Sequence, residues 1–247
     1  MAMDTNTSSN VNVMIAAATG ASRFLIRDFG EMENLQSSAD SGLRFATNGR
    51  TKVEKIIIES LKAARPKFGI MTPNETVAGS DISHRFVINA IDGFDNFARA
   101  MPFFAISIAL MEQKETIAAV IYSPILDKLF YASRGEGAFV IEARMKRRIR
   151  TSRKTSPAKI YGQNVALGCG SLGAAYIANG SIDAGIFSAT SMFDLAAASI
   201  IVKEAGGLLT AIDAEGKPAK DFFGAHRMII ENNHLQPSLN ESIIAKK

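Results

Sequence analysis

Apolar side chains at helical spacing dominate the first part of the chain. Over residues 11–28 they recur every three or four positions, which predicts one amphipathic helix that closes at Gly30. The same spacing returns over 53–64 and stops at Pro66, so a second helix is expected there. The stretch 37–49 between them is rich in serine, glycine and asparagine, and we expect irregular or hairpin-like structure in it.

A different pattern begins after Gly69, where β-branched and aromatic runs alternate with turn residues. Each run has the length of a strand, and the connections between runs are too short to hold crossover helices. The pattern therefore predicts a mainly antiparallel sheet. Its predicted strands are residues 85–91, 103–112, 116–123 and 128–133.

Helical and strand patterns both occur in the C-terminal part of the chain. Residues 170–180 and 194–207 have helical patterns, and the second begins at Asp194, a candidate N-cap, and ends in two glycines. The remaining predicted elements are strands at 207–213 and 227–232 and a short terminal helix at 237–244.

No linker-like stretch and no internal repeat divides these elements, so we expect one structural unit with two halves. The first half, residues 1–140, holds the N-terminal helices and the large, mainly antiparallel sheet. The second, residues 141–247, is an α/β half. The expected fold class is α+β.

Composition narrows the class of protein. Hydrophobic residues make up 47% of the 247 residues and charged residues 21%, which is ordinary for a folded globular protein. No apolar run approaches the ~20 residues of a membrane helix, and the polar N-terminus has no signal-peptide pattern. With Cys169 as the one cysteine, neither an internal disulfide nor a cysteine-based zinc site is expected. We therefore expect a cytoplasmic protein without a membrane partner.

The formal net charge of +4 comes from one segment. Residues 144–154 carry seven basic side chains and no acid, so the rest of the chain is mildly acidic. One interpretation is a solvated strand edge or loop, where charge discourages pairing between sheets, and the other is a site for RNA or another polyanion. The lack of an interleaved aromatic residue favours the first. The basic residues of this cluster are Arg144, Lys146, Arg147, Arg148, Arg150, Arg153 and Lys154.

Polar residues also stand at three joints between predicted elements. Asn74 and Glu75 follow a predicted turn, Asp92 and a glycine end a predicted strand, and Asp194 opens a predicted helix. Each has a structural explanation by itself, because Asp-Gly is a common turn dipeptide, Asp194 can cap its helix and Glu75 can be solvated. Their order and spacing together indicate more.

Three segments carry this spacing: NETVAGSDISHRFVINAID (74–92), IDGFDNFARAMPFFAISIAL (91–110) and FDLAAASIIVKEAGG (193–207). They resemble the motifs of the inositol monophosphatase family, and the run 12–36 is similar to the N-terminus of the bacterial extragenic suppressor branch of that family. The resemblance implies a layered α-β-α-β-α sandwich. It also implies a Mg²⁺-dependent phosphatase that hydrolyses inositol or sugar monophosphates, with two or three metal ions polarising the ester and activating water.

The resemblance assigns roles to particular positions of this chain. The family's metal-binding positions correspond to Asn74, Asn89, Asp92, Asp194 and the backbone carbonyl of Ile91. Its water-activating positions correspond to Phe94 and Arg50, and its substrate-binding positions to Gly93, Phe94 and Phe187.

Several of these positions depart from the family pattern. Asn74 and Asn89 stand where the family has carboxylates, and Phe94 stands where it has threonine. Arg50 takes the place of the acid that partners this threonine, and Phe187 the place of a glutamate that contacts substrate. We therefore expect no certain catalytic residue at these positions.

The two remaining carboxylates, Asp92 and Asp194, carry the charge of one Mg²⁺, so at most one weakly bound ion is expected. The apolar pattern is intact, so the fold should persist while catalysis is weakened or lost. One alternative is a non-catalytic regulatory protein associated with RNA or the transcription machinery, and another is a degenerating protein without strong activity. The family also implies a homodimer, and an active enzyme would bind a phosphorylated small molecule.

Overall fold

The computed structural model describes residues 7–35, 39–156, 160–161, 165–188, 192–215, 217–219 and 227–235. The helices are α1 (Ser9–Leu35), α2 (Ala39–Ala64), α3 (Phe94–Ala98), α4 (Gly170–Ala178) and α5 (Met192–Glu204). The strands are β1 (Phe68–Met71), β2 (Thr76–Val77), β3 (Asp81–Asp92), β4 (Ala105–Glu112), β5 (Glu115–Ser123), β6 (Lys128–Ser133), β7 (Gly137–Glu142), β8 (Met145–Ile149), β9 (Ile160–Tyr161), β10 (Ala184–Ser188), β11 (Gly207–Ile212) and β12 (Arg227–Asn232).

The N-terminal helices α1 and α2 pack along each other, and the predicted irregular stretch 37–49 is corrected here because α2 already begins at Ala39. Its glycines serve close packing and not turns. A Cβ on Gly49 would lie 3.2 Å from Oδ2 of Asp28 on α1. Glycine costs about 1 kcal/mol in a helix interior, which close contact between the two helices offsets.

The large sheet has the strand order β2-β1-β3-β4-β5-β6-β7-β8. All neighbouring strands run antiparallel except β1 and β3, which are parallel, so the predicted mainly antiparallel sheet is confirmed. Its two faces pack on different helices, because side chains alternate along each strand. On β4, Ile106 and Ile108 join the core beneath α1 and α2, whereas Ala105 and Ala109 face α5.

A second sheet, in the order β11-β12-β10-β9, lies on the far side of α4 and α5. The described chain therefore stacks helices, large sheet, helices and small sheet, and the predicted α+β layered fold is confirmed for these layers. The large sheet continues to Ile149, beyond the half-boundary predicted at 140, because β7 and β8 still belong to it. The terminal helix predicted at 237–244 lies outside the described residues.

None of the helices described is both long enough and apolar enough to cross a membrane.

Candidate functional site

A β-bulge at the end of β3 sets the geometry of the site. Asn89 pairs with Ser107 and Asp92 pairs with Ala105, so between these two pairs β3 contains one residue more than β4. Strict alternation would turn Asn89 and Asp92 to opposite faces of the sheet. The extra residue turns both towards α4 and α5.

Gly93 allows the chain to leave β3 directly after this bulge. Its φ of 79° is left-handed, and a Cβ there would lie 2.7 Å from the carbonyl oxygen of Phe103. A residue with a side chain would therefore be strained and would also collide with backbone. Helix α3 begins at the next residue, Phe94.

Asp92 is buried, and its carboxylate receives hydrogen bonds from the start of α4. The backbone N–H of Ser171 donates to its Oδ2 at 2.6 Å, and the thiol of Cys169 lies 3.2 Å from the same oxygen. Burial and the nearby charge of Asp194 raise the pKa of Asp92, against the lowering effect of these hydrogen bonds. Burial and the charge of Asp92 likewise raise the pKa of the Cys169 thiol.

Asp194 lies in the first turn of α5 and is held by Asn89. The side-chain amide of Asn89 donates from Nδ2 to Oδ1 of Asp194 at 2.9 Å. A carboxylate oxygen attracts the NH₂ side of an amide and repels its carbonyl side, so the amide oxygen faces away from Asp194. Gly170 lies between the two acids: a Cβ added to it would be 3.7 Å from Cβ of Asp194 and 4.0 Å from Oδ2 of Asp92. Asp92 and Asp194 are therefore close neighbours.

Asn74 repeats this arrangement with an acid that the sequence analysis missed. Its Nδ2 donates to both carboxylate oxygens of Glu54, at 3.0 and 3.2 Å. Glu54 lies on α2 and is 6% exposed. The signal was present in the sequence, since Glu54 falls next to Val53 and three residues before Ile57 on the buried face of the helix. The neighbouring Glu75 is exposed.

Arg50 lies one turn before Glu54 on α2 and covers Phe94. Its guanidinium carbon is 4.7 Å from the centroid of the Phe94 ring, a cation–π contact. The Nε atom of Arg50 is buried and has no hydrogen-bond partner among the described residues. Arg50 does not pair with Asp92, whose hydrogen bonds come from Ser171 and Cys169.

The structure thus brings Asn89, Asp92 and Asp194 together at the end of β3, with Gly93, Phe94 and Arg50 beside them. Asn74 instead bonds Glu54 on α2, and Phe187 belongs to a different strand. Phe187 lies in β10, is 2% exposed and packs in the apolar cluster between the sheets. A buried phenyl ring offers no hydrogen-bond donor to a phosphate. Ile91 is buried beneath the N-terminal helices. The roles that the resemblance assigns to these residues stay predictions.

The donor set at this site is poorly suited to a pair of Mg²⁺ ions, which prefer several oxygen ligands in near-octahedral arrangement. The amide nitrogens of Asn89 and Asn74 point at the carboxylates that a cation would need. Asp92 is already hydrogen-bonded by the start of α4. Within the described part of the chain, no group of three or more histidine, cysteine, aspartate or glutamate side chains is arranged to hold a metal ion.

The basic cluster lies five strands away from β3 in the same sheet, at the edge that β8 forms. Arg144 stands in the turn before β8, and β8 itself is the outermost strand. The basic side chains from 144 to 154 are exposed.

Comparison with known proteins gives a consistent result. The family model described as Inositol monophosphatase family matches residues 6–166 and 144–247. Inositol-1-monophosphatase of Rhizobium meliloti is 33% identical over 262 residues, covering 96% of each chain. Nus factor SuhB of Xylella fastidiosa is 30% identical over 266 residues, covering 95% of this chain and 94% of its own. The crystal structure of extragenic suppressor protein suhB from Bartonella henselae is 34% identical, with a TM-score of 0.80 over 98% of this chain and 100% of that one.

Proposed function

Because the chain belongs to the inositol monophosphatase family, we propose that it derives from a Mg²⁺-dependent phosphomonoester hydrolase for inositol or sugar monophosphates and that its own catalysis is weakened or lost. The observation that carries the proposal is the pair of amide-to-carboxylate hydrogen bonds, from Asn89 to Asp194 and from Asn74 to Glu54. Each replaces the attraction between a carboxylate and a cation by a contact that needs no cation.

Charge supports the same conclusion. Asp92 and Asp194 together balance one Mg²⁺, and an amide in place of a carboxylate contributes no net charge. A unit charge about 4 Å from another is worth roughly 4 kcal/mol at an effective dielectric constant of 20, so two missing charges weaken metal binding greatly even after discounting. The cofactor we propose is therefore at most one weakly held Mg²⁺, with a phosphorylated small molecule as the ligand of any remaining activity.

The positions that activate water in the family are also altered. Phe94 has no hydroxyl to orient a water molecule, and Arg50 lays a positive charge over its ring. The positive charge of Arg50 repels a divalent cation nearby. The guanidinium also cannot act as a base, since it stays protonated. The residues of this chain thus hold the site closed with internal hydrogen bonds, and none stands ready as a general base at Phe94.

Two measurements on the whole protein test this proposal. Isothermal titration with Mg²⁺ should give no more than one weak site, and inositol-1-phosphate hydrolysis should be far below that of a relative with the full set of carboxylates assayed beside it. The Rhizobium meliloti relative serves as the matched enzyme. Two well-filled Mg²⁺ sites, or hydrolysis at the relative's rate, would contradict the proposal.

A second candidate function is a non-catalytic regulatory role associated with RNA or the transcription machinery. Its support is the exposed basic cluster on β8, together with relatives named Nus factor SuhB. A homodimer and a cytoplasmic location complete the proposal. Static light scattering at two concentrations tests the dimer, and a monomer at both would contradict it.

A further inference from the structure

Strand β8 presents its basic side chains at an edge of the large sheet. It pairs with β7 on one side, and no strand of the described residues pairs with it on the other. Lys146, Arg147 and Arg148 are all exposed. Lys146 and Arg148 share one face and stand about 7 Å apart along the strand, while Arg147 points to the opposite face. A chain of phosphates could therefore be contacted from both sides of this edge.

An aromatic pair lies beside these charges, although no aromatic residue interrupts the basic run in the sequence. Phe139 on β7 is directly opposite Arg148, and Tyr131 on β6 is opposite Phe139. The two rings stack with centroids 5.3 Å apart and an interplanar angle of 20°. Lys146 holds its ammonium 4.7 Å above the ring of Phe139, which remains partly exposed. Cross-strand pairing thus supplies the ring that a stacked base requires.

The ion pairs divide the basic cluster into two parts. Lys154 reaches the buried Asp183 at 3.4 Å and so anchors the crossover between the two sheets. The acid nearest to β8 in its hairpin, Glu142, is bound by Lys128 at 2.9 Å. The five arginines of the basic cluster form no ion pair with a carboxylate of the described residues. They are Arg144, Arg147, Arg148, Arg150 and Arg153.

We propose that single-stranded RNA binds this β7–β8 surface, defined by Phe139, Lys146, Arg147, Arg148 and Arg150. The arginines contact phosphates, and a base stacks on Phe139 after the Lys146 ammonium moves to a phosphate. A duplex keeps its bases stacked on one another and could not use the ring. An acidic peptide would satisfy the charges but would leave the ring without a role. The inference rests on the second candidate function and gives it a location.

Salt dependence and stacking provide separate readouts. Fluorescence anisotropy with a labelled oligouridylate should show a log–log salt slope of roughly −0.7 per phosphate contacted. The triple variant Arg147→Gln, Arg148→Gln and Arg150→Gln should flatten that slope by about two units. The control carries the same change of charge at three exposed lysines on α2 and just before β1, away from the β8 edge of the sheet, and its slope should match the unaltered protein. Its substitutions are Lys55→Gln, Lys62→Gln and Lys67→Gln.

Phe139→Leu removes the ring without changing charge. The expected result is binding roughly 5- to 150-fold weaker, the equivalent of losing one stacked base, with an unchanged salt slope. The Arg148 guanidinium packs against Gly137, so its removal could alter the fold as well as the charge. A second triple variant, Arg147→Gln, Arg150→Gln and Arg153→Gln, therefore leaves Arg148 in place. Thermal unfolding of every variant verifies that the fold is retained.

Three results would overturn the inference. These are no salt-dependent binding of the oligouridylate, equal loss in the patch and control variants, and retention of poly-glutamate but not of RNA. A Phe139→Leu variant that binds as tightly as the unaltered protein would refute the stacked base. Mg²⁺ titration and phosphatase assays involve none of these residues, so a failure here leaves the proposal about catalysis intact, and the reverse also holds.

Discussion

Replacing Asn89 by aspartate tests whether the site is closed by its own hydrogen bonds. The amide nitrogen of Asn89 lies 2.9 Å from Oδ1 of Asp194. In Asn89→Asp, a carboxylate oxygen takes the place of that nitrogen and faces the Asp194 carboxylate. Two unit charges at that distance repel by about 6 kcal/mol at an effective dielectric constant of 20. Protonating one acid avoids the repulsion, and at pH 7 this costs about 4 kcal/mol for a carboxyl with an ordinary pKa near 4. Protonation costs less than the repulsion and therefore limits the destabilisation, so we expect the free energy of unfolding to fall by about 3–4 kcal/mol at pH 7.

The pH dependence of that loss has a definite sign. The new pair takes up a proton more readily when folded, so its folded-state pKa lies above its unfolded value. The folded protein then binds more protons than the unfolded chain, and the stability of the variant falls as pH rises above about 4. The loss should be small near pH 4 and complete above the raised pKa. For a chain of this size, it lowers Tm by roughly 10 °C at pH 7.

Mg²⁺ supplies the decisive arm of the experiment. The variant carries three neighbouring carboxylates, so a cation that binds them should recover stability as its concentration rises. Urea or thermal unfolding at pH 5 and pH 8, each with and without Mg²⁺, measures both effects. Asn233→Asp is the control, because it makes the same chemical change in an exposed turn after β12. An Asn89→Asp variant as stable as this control at pH 8 without Mg²⁺ would refute the reasoning.

Three further expectations concern the same joint. Asn74→Glu combined with Asn89→Asp should raise Mg²⁺ affinity in calorimetry, and hydrolysis should return only when Phe94→Thr is added; full activity without that third change would show that the phenylalanine does not obstruct. Gly93→Ala should lose more than about 2 kcal/mol in urea unfolding, because it combines a left-handed φ with a clash against a carbonyl oxygen. The pKa of Asp92 is raised, so its ionisation lowers the free energy of unfolding as pH rises above about 4, and Asp92→Asn should not show this decrease. If the free energies of unfolding of the variant and the unaltered protein change with pH in the same way, the raised pKa is contradicted.

Periodicity was sufficient to predict α1, α4, α5 and the second half of α2, together with strands β3, β4, β5, β6, β11 and β12, because one buried face leaves a regular mark on the sequence. It failed at 37–49, where Gly42 and Gly49 are helical and face α1 and its neighbours. Glycine has the same local propensities in a turn and at a close helix contact, so only the tertiary partner distinguishes them.

The site shows a similar division. The motif spacing located Asp92 and Asp194 in sequence, but the partner that each acid acquires depends on the bulge in β3 and on the start of α4. Glu54 was overlooked because it lies twenty residues from Asn74 along the chain. The ring of Phe139 was overlooked for the same reason, since strand pairing and not sequence adjacency places it beside Arg148.

The position of α4 and α5 between the two sheets has a consequence for biosynthesis. The large sheet is complete once Ile149 has been made, but its face with Ala105 and Ala109 is fully covered only after α5 ends at Glu204. At 5–20 residues per second, a ribosome needs roughly 3–11 s for the intervening stretch. During that interval the nascent chain carries a wide apolar surface that a chaperone can bind, and slower translation over these residues would prolong its exposure to aggregation.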